Sequence, residues 1–121
     1  MSASALIIED NEQNMYLMSF LLESGGFSVD KAANGEEGLQ MALAKSYDVI
    51  LLDINLPCLD GHEVARRLRL SESTGTIPIV AVTSCAMVGD REKIISAGCN
   101  GYIEKPIDPD CFVSSIRSFI N

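Results

Sequence analysis

Three short, continuous apolar runs constrain the fold of this chain most strongly. They occupy residues 5–8, 49–52 and 79–82 and are rich in β-branched side chains. Such runs predict strands covered on both faces, because a strand with one wet face would alternate apolar and polar residues. Two weaker patterns, at 27–31 and 102–103, alternate or stop at polar neighbours, and they predict edge strands.

Amphipathic stretches with helix-capping residues separate these strands. Asn34 and Asp60 each stand three residues before a glutamate, which is the spacing of a capping box. Asp108 precedes a proline, as at a helix start, and Gly98 and the pair 25–26 supply helix stops. We therefore predict helices at 11–24, 35–46, 60–70, 86–97 and 108–120, and strands at 5–9, 27–32, 48–53, 78–83 and 101–105.

This alternation predicts an α/β fold, a (βα)5 parallel sheet with helices on both faces. An order beginning 3-2-1 would leave the wholly apolar third strand at an edge. The pattern instead favours the order 2-1-3-4-5 of a doubly wound, flavodoxin-like sheet. With 121 residues and no linker, repeat or low-complexity tract, we expect residues 1–121 to form a single domain.

The charge and the cysteine pattern exclude several classes of function. A net charge of −8 argues against partners bound through phosphate backbones, so we expect neither nucleic acid nor an anionic membrane. No apolar run approaches the roughly 20 residues of a membrane span, and the start lacks the basic residues of a signal peptide, so we expect a cytoplasmic protein. The 4 cysteines form no C-x-x-C pair and only 1 histidine is present, which favours free thiols over disulfides or zinc.

Polar side chains stand where the interior and fifth strands end. Glu9 and Asp10 follow the first strand, Asp53 ends the third, Thr83 ends the fourth and Lys105 ends the fifth. Sites in such sheets lie beyond the carboxyl ends of the strands, at the switch point between the first and third, so these groups should meet at one rim. Each alone is better explained as a cap, a turn residue, a strand residue or a surface charge. Their convergence is what favours a site.

The chemistry of this set indicates a metal-assisted phosphoryl site. Three neighbouring carboxylates repel one another, so either some bind protons or a cation lies among them. Oxygen ligands without histidine or thiolate favour a hard cation. We expect Mg²⁺, with Mn²⁺ as an alternative. Asp53 is then a candidate nucleophile that forms an aspartyl phosphate. The metal and Lys105 would offset charge on the phosphoryl oxygens, and Thr83 would donate a hydrogen bond.

Four segments carry a family resemblance: residues 7–11, residues 53–57 with Asp60 and Gly61, residues 81–84, and residues 105–107. Through them, the chain resembles the receiver domain of two-component response regulators from Ala5 to Ile120. The resemblance implies that Asp53 is the phosphoacceptor. It also implies that Asp10, Asp53 and the backbone carbonyl of Asn55 ligate Mg²⁺ directly, and that Glu9 acts through metal-bound water.

The resemblance further implies a switch. Lys105 would pair with the phosphoryl group across a cis peptide bond to Pro106, which proline makes accessible. The Thr83 hydroxyl would move toward the phosphoryl group and the Tyr102 ring would follow it inward. The fourth helix, fifth strand and fifth helix would form the two-state element. Ser84 departs from the Ala or Gly common after the switch threonine, which puts the rate of phosphate hydrolysis in question.

The first helix bears on partners. Its apolar residues cover roughly 220° at about 100° per residue, more than one core-facing stripe needs. Two readings stay open: the helix packs against two neighbours, or it offers a docking face with Asn14 and Leu17 near the rim. The resemblance implies that a sensor histidine kinase or a histidine phosphotransfer protein meets this helix and the loop at Pro106 and Ile107. The polar side of the helix is predicted to hold Tyr16, Ser19 and Glu23.

The expected role is that of a stand-alone receiver that acts on a downstream protein target or relays phosphate. We expect no output domain after Asn121, and the stretches 10–14 and 86–91 are similar to stand-alone cell-division regulators and to receivers of hybrid kinases. One alternative is a Mg²⁺-dependent phosphatase that turns over an aspartyl phosphate. It is disfavoured because Asn55 stands where haloacid-dehalogenase-like phosphatases have a second Asp. Another alternative is a phosphorylation-independent interaction module, which the intact set of rim residues argues against.

Overall fold

Strands and helices alternate throughout the computed structural model, which describes residues 3–84 and 87–120. The predicted helix start at residue 86 and Cys85 lie outside the described residues. The elements, in chain order, are β1 (Ser4–Ile8), α1 (Glu12–Ser24), β2 (Ser28–Ala32), α2 (Gly35–Ala44), β3 (Val49–Asp53), α3 (Gly61–Leu70), β4 (Ile79–Thr83), α4 (Val88–Ser96), β5 (Gly101–Glu104) and α5 (Phe112–Arg117).

The five strands form one parallel sheet in the order β2-β1-β3-β4-β5, which confirms the predicted order. The register places the carboxyl ends of the interior strands at nearly the same height along the sheet. Ile8 pairs with Leu52, one residue before Asp53, and Asp53 pairs with Val82, one residue before Thr83. The residues that follow these strands therefore emerge side by side at one edge.

The interior strands are covered on both faces, as their apolar runs predict. Alternate side chains of β1 enter different clusters: Leu6 and Ile8 pack toward α2, α3 and α4, whereas Ala5 and Ile7 pack toward α1 and α5. Strands β3 and β4 are buried along their whole length, while the edge strand β2 exposes Lys31. Each buried Leu or Ile contributes about 1.5–3 kcal/mol, so these strands anchor the sheet.

Side-chain caps begin three of the helices, close to the predicted positions. In each case a side-chain oxygen accepts a hydrogen bond from the backbone N–H three residues later, which satisfies an otherwise unpartnered donor of the first turn. The pairs are Asn11 with Asn14 at 2.9 Å, Asn34 with Glu37 at 2.9 Å, and Asp60 with Glu63 at 3.0 Å. Gly98 follows α4 with φ of 112°, a left-handed conformation that suits glycine at a helix stop.

The predicted start of the last helix at residue 108 is wrong. The Asp108 carboxylate accepts from Asp110 N at 3.0 Å, and its backbone carbonyl accepts from Cys111 N at 3.3 Å and from Phe112 N at 3.0 Å. Residues 109–111 thus form a capped turn, and the α-helix begins only at Phe112. The Asp-Pro signal is real, but it begins a turn that leads into the helix.

The predicted polar side of α1 is also partly wrong. Ser19 is 2% exposed and its hydroxyl donates to Met15 O at 2.7 Å, so its polar group is satisfied within the helix and the residue faces the core. Phe20, by contrast, is 54% exposed and stacks on Tyr16, which is 69% exposed, with ring centroids 6.1 Å apart. Hydropathy alone assigns these positions the opposite way.

Two further expectations concern the cysteines and the membrane. Cys58 and Cys111 are exposed and Cys99 is buried, and all three are free thiols. Burial raises the pKa of Cys99 to about 11, so this thiol stays protonated and unreactive near neutral pH. Among the described residues, no helix has the length and apolar character needed to cross a bilayer.

A clasp around Arg69 secures the end of α3. Its guanidinium donates to Gly98 O at 2.8 Å, Ile77 O at 2.7 Å and Gly75 O at 3.1 Å, and to Asn100 Oδ1 at 2.6 Å. The planar fork therefore joins the end of α3, the loop before β4 and the approach to β5. No local pattern in the sequence indicates this clasp.

Arg69→Lys is expected to destabilise the protein by about 1–3 kcal/mol, because an ammonium cannot reach all of these acceptors and leaves carbonyls without donors. The free energy of unfolding from urea denaturation measures the loss. The matched control is Arg66→Lys on the exposed side of α3, which should change stability by no more than about 0.5 kcal/mol. Equal effects of the two substitutions would contradict the clasp.

Candidate phosphoryl and metal site

The predicted acidic residues converge at the carboxyl edge of the sheet. Glu9 and Asp53 are 2% and 4% exposed, and Asp10 is exposed beside them. One carboxylate oxygen from each of the three lies within 4.8 Å of the others. Strand register brings them together, since β1 and β3 are neighbours that end at the same level.

Lys105 provides the positive charge among these carboxylates. Its Nζ lies 3.0 Å from Glu9 Oε1 and 3.6 Å from Asp53 Oδ1, and its side chain is 17% exposed. The Lys105–Pro106 peptide bond is cis, as the family resemblance implied. One ammonium thus faces two buried carboxylates, which leaves the cluster with more negative than positive charge.

Glu9 shows the electrostatic cost of this arrangement. Burial raises the pKa of Glu9 to about 7, because desolvation disfavours the carboxylate more than the nearby Lys105 and the Asn11 N–H favour it. Oε2 accepts from Asn11 N at 3.1 Å. Oε1 is buried and forms the ion pair with Lys105, but no described group donates an aligned hydrogen bond to it. It therefore retains acceptor capacity toward a cation or an ordered water.

The loop after β3 holds Asp53 in place. Asn55 N donates to Asp53 Oδ1 at 3.1 Å, and Gly61 N donates to Ile54 O at 3.0 Å. A Cβ on Gly61 would lie 2.5 Å from the Asp53 carbonyl oxygen, closer than real Cβ contacts come. Glycine is required at this position because the start of α3 packs directly on the backbone of Asp53.

Thr83 and Tyr102 occupy adjacent strands on one face of the sheet. Tyr102 pairs with Ala81, two residues before Thr83, so alternation places Thr83 and Tyr102 diagonally on the same face. Thr83 is fully buried, and Tyr102 is half-buried against the cluster under α2, α3 and α4. The two predicted switch residues thus lie on the same face of neighbouring strands.

The four residues predicted for partner docking separate into two kinds. Asn14 and Leu17 are half-buried on α1, and Pro106 is exposed. Ile107 is 7% exposed and belongs to the cluster toward α1 and α5, so its side chain faces the core. Ile107 can support a docking surface from beneath but offers it little area.

Two residues that shape the site, Asn11 and Gly61, are not predicted as such from the sequence. Asn11 belongs to the family motif, but the hydrogen bond from its N–H to Glu9 was not predicted. Its position before the first apolar residues of α1 is a signal for the helix cap that it forms. Gly61 was noted only as part of a motif, and its close approach to Asp53 depends on packing between β3 and α3.

Comparisons with known proteins agree with this geometry. The family model described as response regulator receiver domain matches residues 5–117. The polar-differentiation response regulator DivK of Brucella ovis is 42% identical over 120 residues, which cover 99% of this chain and 98% of that protein.

Solved structures of response regulator and receiver proteins share this fold. Chemotaxis protein CheY4 of Vibrio cholerae superposes with a TM-score of 0.95 at 25% identity, covering 99% of this chain and 100% of that chain. The receiver domain of sensor histidine kinase PA1611 from Pseudomonas aeruginosa PAO1 reaches 0.91 at 34% identity, with 98% of both chains covered, and has a magnesium ion coordinated in its active site cleft.

The proteins that match are signalling modules, and such modules are not turnover enzymes on external substrates. The match extends over almost the whole chain, and the fold, strand order and acidic edge agree with it. The chain belongs to the response regulator receiver domain family of two-component signalling.

Proposed function

We propose that this protein is a phosphorylation-dependent switch in which Asp53 accepts a phosphoryl group from a histidine kinase or a histidine phosphotransfer protein. The observation that carries the proposal is the position of Lys105 Nζ, 3.0 Å from Glu9 and 3.6 Å from Asp53, at the edge where three carboxylates meet. We take residues 1–121 as one receiver domain and expect it to act in the cytoplasm, where such a kinase would present its phosphohistidine.

In the proposed reaction a carboxylate oxygen of Asp53 attacks phosphorus. The new P–O bond forms as the P–N bond of phosphohistidine breaks, and the imidazole leaves with the electron pair. Lys105 would offset charge on the phosphoryl oxygens and Thr83 would donate a hydrogen bond to one of them. The Asn55 N–H already fixes Asp53 Oδ1, so the nucleophile is oriented before the donor arrives.

The residues at this edge fit a Mg²⁺ ion, or Mn²⁺ in its place. Asp10, Asp53 and the backbone carbonyl of Asn55 would be direct ligands, and Glu9 would act through a water. The oxygen-only set and the Glu9 Oε1 atom that lacks an aligned donor support this assignment. When bound, the ion would supply positive charge that stabilises the transferring phosphoryl group.

The proposed output follows from the charge added at Asp53. An acyl phosphate carries about one negative charge more than the carboxylate and presents three acceptor oxygens. Thr83 would move toward them, and Tyr102, diagonal to it on the next strand, would turn inward. This movement would change the surface of α4, β5 and α5, to which a downstream protein target would bind.

We further propose that α1 is the docking face for the phosphodonor. Asn14 lies near the site, because its N–H donates to the side chain of Asn11, whose own N–H donates to Glu9. Leu17 is half-buried on the same helix, and Pro106 is exposed. The stacked Tyr16 and Phe20 add accessible aromatic area to the same helix, a feature enriched at the centre of protein interfaces. This favours docking over the alternative that α1 only packs against two neighbours.

Mg²⁺ is expected to raise the unfolding temperature, since binding stabilises the fold by about 2.7 kcal/mol at a hundredfold excess over Kd. Asp10→Asn should be as stable as the parent or more so in EDTA, because it relieves repulsion among the carboxylates, and should gain much less from Mg²⁺. Asp60→Asn, which keeps its helix cap, is the control and should respond as the parent does. An equal gain in Asp10→Asn would contradict the metal assignment.

Incubation with acetyl phosphate and Mg²⁺ should add one phosphoryl group, about 80 Da, by mass spectrometry. Asp53→Asn should abolish the adduct because the amide is not a nucleophile here, whereas Asp60→Asn should keep it. Sustained release of phosphate over many turnovers, undiminished in Asp53→Asn, would overturn the proposal in favour of a phosphatase of another mechanism.

Thr83→Ala is expected to separate phosphorylation from switching. The Asp53 adduct should still form, but the Tyr102 ring resonances should shift far less on addition of beryllofluoride, a phosphoryl mimic, because the hydroxyl that links the two is gone. The exposed Thr76→Ala serves as the control and should behave as the parent. A full Tyr102 shift in Thr83→Ala would remove Thr83 from the switch.

A further inference from the structure

Helix α4 is held to the rest of the molecule by few described side chains. Its N-cap residue, Met87, makes no side-chain cap hydrogen bond. Among the described side chains of α4, Ile94 alone is buried. A Cβ built on Gly89 would meet nothing within 4 Å, so the helix is not packed against other residues at this position. Contacts between α4 and β5 therefore contribute much of what determines the position of this helix.

Arg91 makes two such contacts at once. Its guanidinium carbon lies 5.4 Å from the centroid of the Tyr102 ring, within the range of a cation–π interaction. Its Nη2 lies 3.8 Å from Glu104 Oε1. Tyr102 and Glu104 are two residues apart on β5, so they project to the same face of that strand. One arginine thus spans both and covers the Tyr102 ring, whose other contacts are with the core cluster.

We propose that Arg91 is a positioning residue that tethers α4 to β5 and holds the Tyr102 ring in its half-buried position, opposing its inward turn. The opposition to switching rests on the proposed function, in which Tyr102 turns inward when Asp53 carries a phosphoryl group. An inward turn that moved the ring away from the guanidinium would lose this cation–π contact, so the contact favours the arrangement seen here. The tether itself requires only the geometry.

The size of the effect follows from the exposure of the partners. The Arg91 and Glu104 side chains are 49% and 59% exposed, where solvent weakens both kinds of contact. We expect loss of the tether to change the ratio of the two Tyr102 positions by about two- to fivefold. Full switching requires that phosphorylation change the ratio of the two states by about 10⁴. Arg91 therefore adjusts the equilibrium between the two Tyr102 positions and does not by itself determine which one is populated.

The test compares Arg91→Ala with Arg67→Ala. Arg67 is a matched control because it is 52% exposed and pairs with Glu63 on α3, without an aromatic ring among its described contacts. The first readout is the side-chain rotamer distribution and ring resonances of Tyr102, measured by NMR in the unphosphorylated protein. The second is the apparent Kd for beryllofluoride with Mg²⁺.

Arg91→Ala should shift Tyr102 toward its inward position in the unphosphorylated protein and tighten beryllofluoride binding by about two- to fivefold, while Arg67→Ala changes neither. Glu104→Gln should give a smaller change of the same sign, because the ring contact remains. Unchanged Tyr102 signals in Arg91→Ala, or weaker beryllofluoride binding, would overturn the inference. A Tyr102 shift together with no beryllofluoride binding by any variant, the parent included, would support the tether and overturn the proposed function.

Discussion

Two buried carboxylates that share one ammonium determine the character of this molecule. Glu9 and Asp53 are almost fully buried, although a charged carboxylate is better solvated in water. Lys105 Nζ faces both, at 3.0 Å and 3.6 Å, and Asp10 adds a third carboxylate that nothing among these contacts neutralises. The excess of negative charge favours a divalent cation at this edge, and in the proposed reaction such a cation would offset the charge of the incoming phosphoryl group.

The sheet that creates this charge cluster also connects it to the surface. Asp53, Thr83 and Tyr102 lie on three successive strands, β3, β4 and β5, whose register is fixed by the buried apolar runs. A change at Asp53 therefore has a short path to the Tyr102 ring. Beyond that ring lies Arg91 on α4, a helix with little burial of its own. In the proposed switch, the strands would transmit a small displacement from Asp53, and the lightly held helix α4 would yield to it.

Much of the fold could be predicted because its signals are local. Continuous apolar runs distinguished β1, β3 and β4 from the edge strands, and that distinction restricts the strand order to those with β2 and β5 at the edges, among which the doubly wound order 2-1-3-4-5 was predicted. Capping residues placed the starts of α2 and α3 within one residue. The errors have physical causes too. Asp108 caps a turn where the start of a helix was predicted. Ser19 can face the core because its hydroxyl donates to a carbonyl of its own helix, and Phe20, the next residue, then faces solvent. The docking role of Ile107 stays a prediction, and its buried side chain means that the residue would contribute through the loop backbone.

The sequence by itself determined which segments are strands, their order, and which polar residues stand at the carboxyl edge, because hydropathy period and capping are recorded in neighbouring residues. Only the tertiary structure decided how close Lys105 comes to Glu9 and Asp53, how far burial raises the pKa of Glu9, and that Arg69 and Arg91 clasp groups from distant segments. These depend on side chains far apart in the chain, and their separation is set by how the helices cross over the sheet, which no local pattern encodes.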